Sequence, residues 1–221
     1  MKNKIIKIVT GTLACLSILA IGTYGYHKQN IKLDNQEPII FTEVTQYDEL
    51  YDFSDNKVLA EHSDLVVIGK ITNMDEATNY NPTAKKYVKA TTPGTLEVMK
   101  ALKSNSSEKI DNIEFMNIGG TISYTDYEKS LLPAQKAKRD YLMEQNGLSK
   151  SSKTNKYVKQ EVKNQLELKE DNTYIMYLYY NEDYGKYMVV NQPYGIKEYN
   201  QSTGKILNHV TNGVETLEEV M

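Results

Sequence analysis

From Asp64 to Thr72 the chain reads DLVVIGKIT, apolar and β-branched enough for a buried strand, with Gly69 placed for a bulge or a tight bend. Thr95 to Leu102 then alternates, with Leu96 and Val98 on one face. Ile110 to Ile118 alternates again, with Ile113 and Phe115 on one side and Met116 and Ile118 on the other. Joined through Ser104 to Ser107, the two predict a hairpin. Gly119-Gly120 breaks the run, and Ile122 and Tyr124 continue it after a bulge. The period changes after Leu131. Pro133 suits a first helical position, and Ala134, Ala137, Tyr141 and Leu142 predict a helix that stops at Gly147. Val158, Val162 and Leu166 predict a second, more basic helix. Thr173 to Tyr180 (TYIMYLYY) is the strongest strand signal, paired through Asn181 to Gly185 with Lys186 to Val190. Gly195 to Tyr199 and Lys205 to Leu207 form a closing hairpin.

A single strand, a hairpin, a helical insertion and a second hairpin are the element order of an OB-like five-stranded barrel, its helical insertion between strands 3 and 4. The sequence thus predicts a mainly β (α+β) fold, with an open antiparallel sheet carrying helices to one side as the competing architecture. Two flanking features complete the pattern. Ser54 caps a short helix running to His62, whose ring is placed to meet the last carbonyls. Asn73 to Pro93, with Tyr80 and Tyr87, is a polar connection long enough to be functional or to carry a short hairpin of its own.

The N-terminus follows another rule. Lys2, Lys4 and Lys7 precede a stretch from Ile8 to Tyr26 of 19 residues without charge. Residues 1–26 therefore read as a signal peptide or transmembrane anchor helix, with the chain beyond them extracytoplasmic, either anchored to the cell membrane or secreted. Cys15, the only cysteine, lacks a large aliphatic residue at the third position before it and is followed by more apolar sequence, so it reads as part of that segment and not as a lipid-attachment site. No disulfide then staples the exported part. Residues 27–52 read as a linker that becomes ordered near Ile39 to Val44, and 53–221 as a single β-rich domain.

Composition changes the picture in three places. Lys and Arg total 26, of which Arg139 is the one arginine; scarcity of bidentate guanidinium, with the compartment, argues against nucleic acid as a partner. The 18 tyrosines reflect codon bias as well as selection. Charge is uneven: nine acids and one base lie from Leu33 to Asp64, nine bases and three acids from Lys129 to Lys163. Most such runs are solvated faces, but the basic one offers Lys136, Lys138, Lys153, Lys156 and Lys159 as contacts to an anionic envelope polymer. The stretches DLVVIGKI, LEVMKALK, IGG and YIMYLYY resemble uncharacterised exported proteins of low-GC Gram-positive bacteria, a resemblance that implies a compartment and no activity.

The motifs of chemistry are missing. Three histidines, His27, His62 and His209, stand apart with no acid at ligand spacing, and neither a serine-nucleophile elbow nor a phosphate loop occurs, so no metal or other cofactor is expected. Asp75-Glu76, Glu182-Asp183 and Glu218-Glu219 are the acid pairs that a cell-envelope hydrolase would have to draw on. The favoured expectation is a non-catalytic binding module for a peptide, glycan or protein partner. Its candidate contacts are Tyr80, Tyr87, Tyr124, Tyr127, Tyr177 and Tyr179, with Tyr180 beside them, because tyrosine combines a stacking face with a polar tip.

Overall fold

The computed structural model describes residues 39–47, 49–105, 110–145 and 156–220, and it is mainly β. Five strands close into a ring: β2 (Leu65–Met74), β4 (Lys86–Ser104), β5 (Asn112–Ile118), β8 (Thr173–Asn181) and β9 (Lys186–Val189). β2 lies antiparallel between β4 and β8, β4 pairs antiparallel with β5, and β9 joins β8 antiparallel and β5 parallel. The closing β5–β9 pair excludes the open sheet. β3 (Thr78–Asn81) forms a hairpin with the first part of β4, which is the short hairpin predicted for the polar connection.

β2 and β8 are apolar on both faces because each separates two cores. Leu65, Val67 and Ile71 of β2 and Tyr174, Met176 and Leu178 of β8 point into the ring, where they meet Leu96, Ile113, Phe115 and Val189. Val66, Ile68, Ile175 and Tyr177 point outward to a second layer. That layer is covered by α1 (Asn56–Glu61), by α4 (Leu217–Val220) and by an extension of the sheet through β10 (Ile196–Tyr199), β11 (Ile206–Asn208) and β12 (Gly213–Glu215). Gly69 sits at a register shift of β2, where a Cβ would come within 2.6 Å of Leu96 Cγ and 2.9 Å of the Glu97 carbonyl oxygen. The missing side chain is what lets Leu96 fill the ring.

The insertion between β5 and β8 differs from its sequence pattern. β6 (Gly120–Ser123) leaves the ring after Gly119 and Gly120, whose φ angles of 103° and 135° suit glycine. Then come α2 (Tyr124–Ser130), α3 (Pro133–Gln145) and β7 (Tyr157–Val162). The second basic helix is thus a strand. β7 pairs antiparallel with β6 and parallel with β1 (Ile39–Thr45), which makes a separate three-stranded sheet. Val158, Gln160 and Val162 are its buried positions. Because four is an even number, the spacing of Val158, Val162 and Leu166 fits an alternating strand as well as a helix.

Helix α3 packs through Arg139 and Met143, not through Ala137 and Tyr141, which are exposed, and Leu142 is half-buried. The stretch from 27 to 52 contains β1, and its Glu49 accepts a 2.8 Å hydrogen bond from Asn191. Residues 1–26 lie outside the described residues.

Helix α1 is capped by Asp55, whose carboxylate accepts from the Lys57 amide at 2.8 Å, one residue later than predicted. His62 ends it as expected, with Nδ1 2.9 Å from the Val58 carbonyl.

Tyr177 links the ring to the C-terminus. Fully buried, it donates its hydroxyl to the Val220 carbonyl at 2.8 Å. Tyr177→Phe keeps the ring's volume and strands that buried acceptor, so unfolding in denaturant should show a loss of about 1–3 kcal/mol with an unchanged slope. An unchanged midpoint would mean that α4 does not depend on this bond.

Candidate functional site

Two hairpins from distant parts of the chain are built alike. In the β3–β4 hairpin Tyr80 pairs with Tyr87 and Asn81 with Lys86; in the β8–β9 hairpin Tyr180 pairs with Tyr187 and Asn181 with Lys186. Both read Tyr-Asn, four turn residues, Lys-Tyr. In each the asparagine side chain accepts from the amide three residues on, Ala84 at 2.9 Å and Tyr184 at 3.3 Å, which bends the backbone into the turn. Each turn ends on a left-handed residue, Lys85 (φ 50°) or Gly185 (φ 61°). Cross-strand placement then sets the rings against each other, 5.2 Å apart for Tyr80 and Tyr87 and 5.5 Å apart, edge to face, for Tyr180 and Tyr187.

The two tips are neighbours. The Asn81 side chain draws the Tyr184 pKa down against the larger effect of burial, and Asn81 is only 3% exposed although it sits at the start of a turn. Around this junction Tyr80 and Tyr180 are 42% and 49% exposed, while Tyr87, Tyr179, Tyr184 and Tyr187 are half-buried. Lys129 of α2 lies over the Tyr87 ring, 4.9 Å from its centre, and its ammonium is held 2.7 Å from Asp126. Hydrogen bonds to Asp126 and then Tyr87 raise the Lys129 pKa, so the cation is retained beside the ring. On the other hairpin Lys186 pairs with Glu114 at 2.9 Å. The result is paired, partly exposed aromatic rings on two pinned turns, with hydroxyls and ammonium groups at their edges.

Of the predicted tyrosines, Tyr80, Tyr87 and Tyr179 belong to these hairpins. Tyr124, Tyr127 and Tyr177 do not belong to any surface: they are 1%, 4% and 0% exposed. Tyr124 and Tyr127 form the core beneath α2 and α3 with Ile122, Met143 and Val158, and Tyr177 lies in the layer outside the ring. Tyr184 and Tyr187 were not among the expected contacts. The repeated Tyr-Asn-(four residues)-Lys-Tyr pattern is the signal that identifies them.

Among the described residues the basic stretch is spread over separate elements. Lys136 and Lys138 lie two positions apart on α3, about 200° around the helix. Lys159 on β7 pairs with Glu161 at 2.9 Å; Lys156 precedes that strand, and Lys153 lies outside the described residues. The acid pairs Asp75-Glu76, Glu182-Asp183 and Glu218-Glu219 are all exposed. A cleft of about 290 Å³ at the Gly119-Gly120 turn is lined by Asn117, Gln160, Gln165 and Glu167 and by Met74 and Leu166, among others. Gln160 and Gln165 spend their amides on the Ala90 amide and the Ile118 carbonyl, which hold the two sheets together. Among the described residues no three His, Cys, Asp or Glu side chains converge as metal ligands.

Buried phenols give the fold a pH limit. Burial is the main cause holding the Tyr127, Tyr177 and Tyr184 hydroxyls above the usual phenol range. In the unfolded chain these groups lose protons near pH ~10, whereas the folded chain keeps them. Above that pH the unfolded state binds fewer protons, so stability falls as pH rises. In a tyrosinate absorbance titration these phenols should ionise only together with unfolding; one reversible step for every tyrosine without unfolding would refute their burial.

No protein-family model, curated protein or solved structure matches this chain.

Proposed function

We propose that the protein is an extracytoplasmic, non-catalytic binding module of the cell envelope, held at or released from the membrane through residues 1–26, that takes a glycan or peptide on the tyrosines of its two neighbouring hairpins. The observation that carries this reading is the pair of like-built hairpins, each of which sets two partly exposed tyrosine rings against each other. Tyrosine rings stack on the apolar faces of sugars and peptide side chains while their hydroxyls serve the polar edges, and they lose little rotamer freedom on binding.

Ring topology supports the same reading. Antiparallel neighbours apart from one parallel closure between β5 and β9, with a helix-bearing insertion before β8, match the connections expected of an OB-like barrel, a fold that binds ligands on a sheet face and its adjoining loops. Fold analogy alone does not select a ligand. The chemistry of the paired rings selects a largely neutral one.

Soluble peptidoglycan fragments and unfractionated envelope peptides are suitable probes, titrated against the exported chain. Tyr80→Ala and Tyr180→Ala should each weaken binding roughly 2- to 10-fold. Val214→Ala, exposed on β12, should leave it unchanged. Binding that survives both tyrosine substitutions, or no binding to either probe, would overturn the assignment.

A further inference from the structure

Beneath α1 and α4 lies a group of polar side chains that the binding reading does not use. Lys197 of β10 is 1% exposed, and it alternates with Ile196, which faces the ring interior, so its side chain enters the outer layer. Its Nζ is 2.5 Å from Asn56 Oδ1 and 2.5 Å from Glu215 Oε2. The same Glu215 oxygen accepts from Asn56 Nδ2 at 3.1 Å. Glu215 is oriented by Asn208, which donates to Oε1 at 2.8 Å, and the Asn56 carboxamide is oriented by the Glu219 carbonyl, which accepts from Nδ2 at 2.8 Å. Leu59, Ile206, Tyr177 and Val220 form the apolar layer around it.

An amine, a carboxamide and a carboxylate that bridges the two are the components of an amide-forming reaction. We propose that Lys197 and Asn56 become joined by an intramolecular isopeptide bond between Nζ and Cγ, with Glu215 carrying the proton. Glu215 takes one proton from the Lys197 ammonium. The freed lone pair adds to Asn56 Cγ, one bond beyond the oxygen that Nζ already touches. A second proton passes from that nitrogen by way of Glu215 to Nδ2, the Cγ–Nδ2 bond breaks, and ammonia leaves; the proton first taken by Glu215 follows it, so ammonium carries off the positive charge. One ammonium and one carboxamide become one secondary amide and one free ammonium, and no oxidant or other reactant is consumed.

The surroundings favour the nucleophile. Burial lowers the Lys197 pKa against the opposing pull of Glu215, which brings the neutral, nucleophilic amine within reach. Reaction removes the buried ammonium, whose desolvation the fold otherwise bears, and leaves the Glu215 carboxylate with Asn208 as its donor. All three reacting groups arrive from different elements, α1, β10 and β12, so the bond forms only after folding has assembled them.

Protease digestion of the folded full chain followed by tandem mass spectrometry decides the matter. The expected result is a branched peptide containing both Asn56 and Lys197, lighter than the sum of its two linear parts by one ammonia. Lys197→Arg and Asn56→Ala should abolish it, and Glu215→Gln should return Asn56 and Lys197 in separate linear peptides while the chain still folds. Recovery of both residues in unmodified linear peptides from the folded wild-type chain would overturn the bond, whatever the variants do. A branched peptide that persists undiminished in Glu215→Gln would overturn the role given to Glu215.

Discussion

The backbone of Tyr177 serves two strands at once, and the architecture depends on that division. Its N–H donates to the Gly195 carbonyl at 2.9 Å, on the approach to β10, and its carbonyl accepts from the Val190 amide at 2.9 Å, at the end of β9. One edge of β8 is therefore shared. Tyr174 to Met176 pair with β10, and Leu178 to Asn181 pair with β9. The second half closes the ring, and the first half starts the extension through β10, β11 and β12. A strand with β2 on its other edge and layers on both faces has no solvent side for polar residues. TYIMYLYY meets that demand, and the buried tyrosine hydroxyls find acceptors or donors in the connecting segments, Tyr177 with Val220 and Tyr174 with the Lys169 amide.

The extension brings polar chemistry into the outer layer. Lys197 follows from β10 continuing the alternation that places Ile196 inside the ring. Its burial is tolerable because Asn56 and Glu215 accept from it and Asn208 orients Glu215. A covalent connection at this place would span 141 residues of sequence. On the loop-entropy model such a closure restricts the unfolded chain by about 5 kcal/mol, comparable to the whole stability of a small domain. For a chain whose described part contains no cysteine, that is the contribution a disulfide would otherwise supply.

The ring was legible from local pattern and the additions to it were not. β2, β5 and β8 announce themselves through β-branched and aromatic residues that are buried wherever they pair, so their strands can be read one at a time. β7 cannot, since Val158 and Val162 satisfy either period, and only β1 and β6 on its two edges make it a strand. Tyr124 and Tyr127 look like any other tyrosines in the sequence. Their burial follows from α2 folding back over β6 and β4, a tertiary event with no local signature. Tyr80 and Tyr87 were recognisable because a polar connection holding two aromatics needs an explanation. Tyr184 and Tyr187 required comparing two turns a hundred residues apart instead of reading each where it stands.

That comparison explains why the site takes the form of turns at all. Within each hairpin an asparagine fixes the turn and the antiparallel register fixes the ring pair, so geometry is set locally and at little entropic cost. What local structure cannot set is the spacing between the two pairs. β3 reaches the β8–β9 tip only because β4 continues past its partner β5 and carries the β3 hairpin with it. The Asn81 side chain then serves both scales, accepting from Ala84 within its own turn and drawing down the pKa of Tyr184 on the other. A ligand spanning the tips would meet rings already ordered, and the free energy of stacking would not be spent on arranging them.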